Sequence, residues 1–135
     1  MSETTLNEAK ARMERTRQHY MYAPLMFLDA WKEAVKMAGP RLFTAEPGYI
    51  KPDSIDDAED KWQLIPDINA IREYCNTCSV SEGVFIGTLV SFYNTDIGNE
   101  ILERFGWSAV GGVANRLELD QLEVITKLML NHTGW

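Results

Sequence analysis

Cysteine and histidine are scarce in this chain of 135 residues, two of each, and that scarcity closes off several chemistries. Two cysteines cannot build a disulfide framework, and in a chain without secretory features they are expected as reduced thiols. His19 and His132 stand near opposite ends, so a serine or cysteine nucleophile has no evident base, and Cys75-Asn76-Thr77-Cys78 lacks a second pair of ligands for zinc. As a redox motif the same C-x-x-C would need a helix N-terminus, whereas it falls near the end of an expected helix, which disfavours a thiolate. Phosphate loops and G-x-G-x-x-G are absent. Gly106-Trp107-Ser108-Ala109-Val110 misses G-x-S-x-G by one residue and follows no expected strand. No apolar run is long enough to cross a bilayer. The opening residues Met-Ser-Glu-Thr-Thr-Leu-Asn-Glu-Ala-Lys contain no apolar signal core, which makes the cytoplasm the expected compartment. Basic residues number 13 against 20 acidic ones, a net charge of −7, so direct nucleic-acid binding, which needs a basic face, is not expected. Catalytic, cofactor-binding and metal-ligating residues are expected to be absent, and an enzyme is the less favoured class.

What is present is an ordinary globular composition, 45% hydrophobic and 24% charged, in a length suited to one domain with a real core. The most apolar stretch is Ser79 to Asn94. Read as a helix it spreads Val80, Val84, Phe85, Ile86, Leu89, Val90, Phe92 and Tyr93 around most of its circumference, the pattern of a helix buried on nearly all sides. Ser79 with Glu82 three residues on forms a capping box at its start. Gly83, Gly87 and Ser91 recur every four residues and line a groove for a close-packed neighbour; the segment from Asp120 to Asn131 is the expected occupant. The fold class expected is therefore all-α, a single compact domain of five to seven helices around a central buried helix, 79–94.

Around this centre the periodicity predicts a helix over 5–22 with a narrow stripe of Leu6, Ala9, Met13, Thr16 and Tyr20, a surface helix or a coiled-coil strand, though too short for several heptads. A second, strongly amphipathic helix is predicted from Pro24 to Ala38, and a break at Tyr22 to Pro24 would fold the two into an antiparallel hairpin. Gly39-Pro40 ends it. Asp67 is placed to cap a helix through Ile68, Ile71 and Tyr74, Asp96 a short helix closed by Gly106, and Asp120, with Glu123, a final helix whose inward stripe is Leu122, Ile125, Leu128 and Met129. Trp107 to Leu117 reads as a weak helix or irregular segment.

Residues 40 to 66 differ in texture, with four prolines and large apolar residues, and read as a long ordered acidic loop with a short helix over 54–62. Residues 46 to 73 hold three basic and eight acidic residues. As a calcium loop the stretch fails, lacking the glycine and terminal glutamate at the required offsets. The functional expectation is a non-enzymatic interaction protein whose acidic surface, Asp53, Asp56, Asp57, Glu59 and Asp60 with Trp62, meets a basic protein partner. The alternative is an enzyme or small-molecule binder with a pocket between the aromatic loop (Phe43, Tyr49, Trp62) and the core helix.

From Phe85 to Ile125, the apolar helix ending Phe92-Tyr93-Asn94, the glycine-containing turn and Leu117-Glu118-Leu119-Asp120 before the last helix resemble a small uncharacterised family encoded on bacterial plasmids, phages and integrative elements. The glycine pair that the family has soon after the asparagine stands here at Gly111-Gly112. The resemblance implies an accessory gene of a mobile element and no particular chemistry.

Overall fold

The computed structural model of the chain describes residues 2–106 and 110–135. Among them six α-helices run in the order α1 (Glu3–Ala38), α2 (Ile68–Tyr74), α3 (Val80–Tyr93), α4 (Thr95–Arg104), α5 (Val110–Arg116) and α6 (Leu119–Asn131). Two short strands, β1 (Phe43–Thr44) and β2 (Ile65–Pro66), and three single 3-10 turns, Pro40–Leu42, Ile55–Asp57 and Lys61–Gln63, complete the described elements. The architecture is all-α with α3 at its centre: Gly83 to Gly87, Leu89 and Val90 are all buried. Ser79 caps α3 by accepting from the Glu82 amide and also donates its hydroxyl to the Glu82 carboxylate, so the predicted start holds with a different second bond.

The groove on α3 is filled, but by α4 and not by the segment 120–131. Asn94 both ends α3 and caps α4, its Oδ1 accepting from the Ile97 amide at 3.0 Å, so the chain reverses within one residue. The two helices then face each other antiparallel. Gly98 lies against the backbone of Ser91, Gly87 against Ile101 and Leu102, and Gly83 against the ring of Phe105. Asp96 sits inside the first turn, where its charge suits the helix dipole, while the extended backbone that a cap requires belongs to Asn94. The same displacement recurs at α6, where the capping box is made by Glu118 and Gln121 in place of Asp120 and Glu123. Asp67 caps α2 as expected, accepting from the Ala70 amide.

Sequence and structure part most clearly at Pro24. The expected hairpin of two helices is one continuous helix of 36 residues, about 54 Å long at the usual rise. A proline inside a helix removes one hydrogen bond and costs about 3 kcal/mol. Yet Ala23, on its N-terminal side, is buried together with Phe27, Ala30, Trp31 and Ala34 beyond it. A turn at Tyr22 to Pro24 would pull Ala23 off that surface, so burial on both sides of the proline holds the helix straight through.

α6 covers this buried half of α1 in the antiparallel sense, with Phe27 beside His132 (5.4 Å between rings) and Glu33 beside Lys127 (3.4 Å). Its buried face is Val124, Ile125 and Leu128; Met129, expected inside, is exposed. The long loop is closed at its base by the pairing of Phe43 with Pro66 and Thr44 with Ile65. Trp31 Nε1 donates to the Leu64 carbonyl at 2.7 Å in the interior, tying the loop to α1. The short helix expected over 54–62 is two single 3-10 turns, Ile55–Asp57 and Lys61–Gln63; Ala58 between them is extended and buried, and an α-helix there would turn it away from the core. The weak segment after Gly106 becomes α5 from Val110 on, and Trp107 to Ala109, with the near-miss of the serine motif, lie outside the described residues.

Candidate functional site

The five acidic residues of the cluster over 53–60 do not form a uniform open patch. Asp56 takes an ion pair from Lys36 at 2.6 Å, and Lys32 donates to its backbone carbonyl at 3.0 Å; the Lys36 hydrogen bond and charge hold the Asp56 carboxyl below its usual range. Asp57 accepts from the Ser54 hydroxyl, and Asp60 caps the turn over 61–63 by accepting from the Trp62 amide. Among the described residues the side chains of Asp53 and Glu59 make no hydrogen bond or ion pair, and both are exposed. The acidic loop thus runs along α1 beside Lys32 and Lys36 with part of its charge already neutralised.

The aromatic residues of the loop are packing groups. Phe43 is buried edge-on to Trp31, and Trp62 stacks on Tyr49 and meets the edge of Trp135. Trp135 also touches Phe27, Trp31 and Tyr93, and Lys61, whose ammonium is weakened by burial, lies over its ring and donates to the Gly134 carbonyl. These rings pack the loop against the body. An apolar cavity of about 570 Å³ lies elsewhere, among α3, α4, α5 and α6, walled by Phe92, Leu102, Val113, Leu117, Leu122 and Ile125. Two of its three threonine hydroxyls are turned back onto their own helices, Thr88 to Val84 and Thr126 to Leu122.

Cys75 ends α2 and Cys78 directly precedes the cap of α3; both are free thiols, the first buried and the second half-buried. Burial, and then the neighbouring Cys78, push the Cys75 thiol up to about 11, and burial raises that of Cys78. Both are therefore protonated at neutral pH, the unreactive form. Beside them the Tyr74 hydroxyl donates to the Glu82 carboxylate.

The feature that sequence reasoning did not assemble is the free half of α1. Residues 2 to 22 are exposed apart from half-buried Ala9 and His19. The side-chain bonds of this stretch stay within it, Ser2 with Thr5 and Glu14 with Arg17 and Gln18. Met13 is 72% exposed, and Tyr20, Met21, Tyr22, Leu25 and Met26 form an exposed apolar collar where the arm leaves the body. Leu25 and Pro24 line a cleft with Glu59, Asp60 and Trp62, so the root of the arm and the acidic loop share one surface. The signal was in the sequence: the three-and-four spacing passes through Pro24 unbroken, and no glycine or asparagine between residues 8 and 38 offers a turn.

No protein-family model, curated protein or solved structure matches the chain. No helix of the described residues is long and apolar enough to cross a membrane.

Proposed function

We propose that this chain is a non-enzymatic protein-interaction module of the cytoplasm that engages its partner through the free half of α1 and the acidic loop at its root. What supports the reading is one observation: about 30 Å of helix stands clear of the body and keeps Leu6, Met13 and Tyr20 in solvent. Exposed apolar stripes rimmed by polar residues mark interaction sites. Asp53 and Glu59 offer the loop's free carboxylates to a basic group of the same partner. A role as an accessory protein of a mobile element, which the C-terminal resemblance implies, is compatible with such a module.

Affinity capture from bacterial lysate tests the reading. The full chain is compared with Met13→Glu and with the triple variant Asp53→Lys, Asp57→Lys and Glu59→Lys, which spares the Asp56–Lys36 pair. The expected result is a captured set lost with Met13→Glu and weakened by the loop variant. The same set captured by all three proteins would overturn it.

A second reading, a binder of a small apolar molecule, rests on the cavity among α3 to α6. Thermal-shift screening decides it, since a ligand that binds only the folded chain raises the melting temperature; a shift abolished by Leu102→Trp, which fills the cavity, is the expected sign.

A further inference from the structure

The seam positions of α1, read at alternating steps of three and four, are Leu6, Ala9, Met13, Thr16, Tyr20, Ala23, Phe27, Ala30 and Ala34. The last four are buried and the first five are not, apart from half-buried Ala9. One continuous seam is thus covered over its C-terminal half by α6, whose C-cap His132 lies beside Phe27. From Tyr20 toward the N-terminus the seam is exposed apart from half-buried Ala9. Resting on the interaction reading above, we propose that the free half of α1 docks a partner helix whose own apolar seam is edged by glutamate and aspartate, extending past the root the two-helix packing that α6 makes within the chain.

The edges of the seam identify the occupant. In a two-stranded coiled coil the residues beside the seam choose the partner by charge. Along the free half these are Glu3, Thr5, Lys10, Arg12, Arg17 and His19, three cations against one acid, and Lys10 and Arg12 make no ion pair among the described residues. Arg17 holds Glu14 at 2.6 Å, but both are well exposed, and such a pair is worth little. Within the body the sign at the edge is reversed: there it is Glu33, and α6 answers with Lys127. The free half asks for acid where the covered half took a base.

A second copy fits less well. Parallel self-pairing sets Arg12 against Arg17. Antiparallel self-pairing matches Leu6 with Thr16 and Met13 with Ala9 in size, but sets Lys10 against Lys10 and Arg12 against Arg12 at its centre. An anionic membrane is also disfavoured, because a surface-lying helix needs a broad apolar face, and here the stripe is narrow and broken by Ala9 and Thr16.

The test uses the full chain and two labelled synthetic helices of 28 residues or so, a length of about four heptads. Both have leucine at seam positions and glutamine outside, with glutamate at the edges of one and lysine at the edges of the other. Fluorescence anisotropy is expected to show saturable binding of the glutamate helix, at least about tenfold tighter than the lysine helix, weakening as salt rises. Met13→Glu should abolish it while leaving the melting temperature unchanged. The triple variant Lys10→Glu, Arg12→Glu and Arg17→Glu should exchange the preference for the lysine helix. Equal binding of the two helices, or none, overturns the proposal. So does a dimer in sedimentation that Met13→Glu dissociates, which assigns the seam to a second copy, or Met13-dependent binding to phosphatidylglycerol vesicles, which assigns it to a membrane. If the helices fail while Met13→Glu still abolishes capture from lysate, the interaction reading stands and only this inference falls.

Discussion

Replacing Gly98 by alanine tests the place where α4 lies directly on the backbone of α3. A Cβ at Gly98 would stand 2.5 Å from the backbone nitrogen and Cα of Ser91, where ordinary contact begins at 3.4 Å. Neither atom belongs to a movable side chain, so α3 and α4 must separate by about 1 Å along a helical hairpin whose remaining layers are already in contact. Overpacking of a filled core costs about 1 to 3 kcal/mol, and a clash with backbone belongs at the upper end. Against this, removing a glycine from a helix interior returns about 1 kcal/mol. The net loss expected is about 2 kcal/mol, which at a urea slope of about 2 kcal/mol per M lowers the denaturation midpoint by about 1 M. Two other glycines supply the scale. Gly87→Ala meets only side-chain atoms of Ile101 and Leu102, at 3.0 to 3.1 Å, which can shift, so its midpoint should fall less. Gly111→Ala meets nothing within 4 Å inside α5 and should stabilise by a few tenths of a kcal/mol to about 1. A midpoint for Gly98→Ala equal to or above that of the wild type would mean that the hairpin is not packed through its small residues.

Limited trypsin digestion of the free protein should cut first at Lys10, Arg12, Arg15 and Arg17, because the exposed half of α1 opens locally without the core, and mass spectrometry should find the remainder intact; a first cut at Lys61 or Arg104 would contradict this. His132 lies between Phe27 and Phe92 with one edge open to solvent, and burial together with the Lys61 charge depresses its imidazole below the usual 6.5. A depressed base adds stability above its unfolded value and loses it as pH falls, so melting temperature should begin to decline below about pH 6.5, and His132→Gln should flatten that decline. An NMR midpoint for the His132 ring at or above 6.5 would refute the assignment.

The sequence by itself determined the elements whose signals are local. The apolar circumference of 79–94 made α3 the core helix, because a helix without a polar face has nowhere to lie but inside. Ser79 and Asp67 marked helix starts because a short polar side chain after extended backbone answers free amides wherever it occurs. The series Gly83, Gly87, Ser91 announced a close neighbour. Which neighbour was decided by tertiary structure: periodicity defines a face, not what meets it, and the shared cap at Asn94 gave that face to α4. Pro24 shows the same division from the other side. Its local penalty argues for a break, and only the burial of Ala23 before it and Phe27 after it keeps α1 whole. That continuity joined two stripes, read separately as a surface helix and an amphipathic helix, into one seam. The free half of the seam, and its reversed edge charge, become visible only once α6 is seen to stop at Asn131. The acidic cluster was legible as composition, but Lys36, twenty residues from Asp56 in the chain, settles which of its charges is already paired.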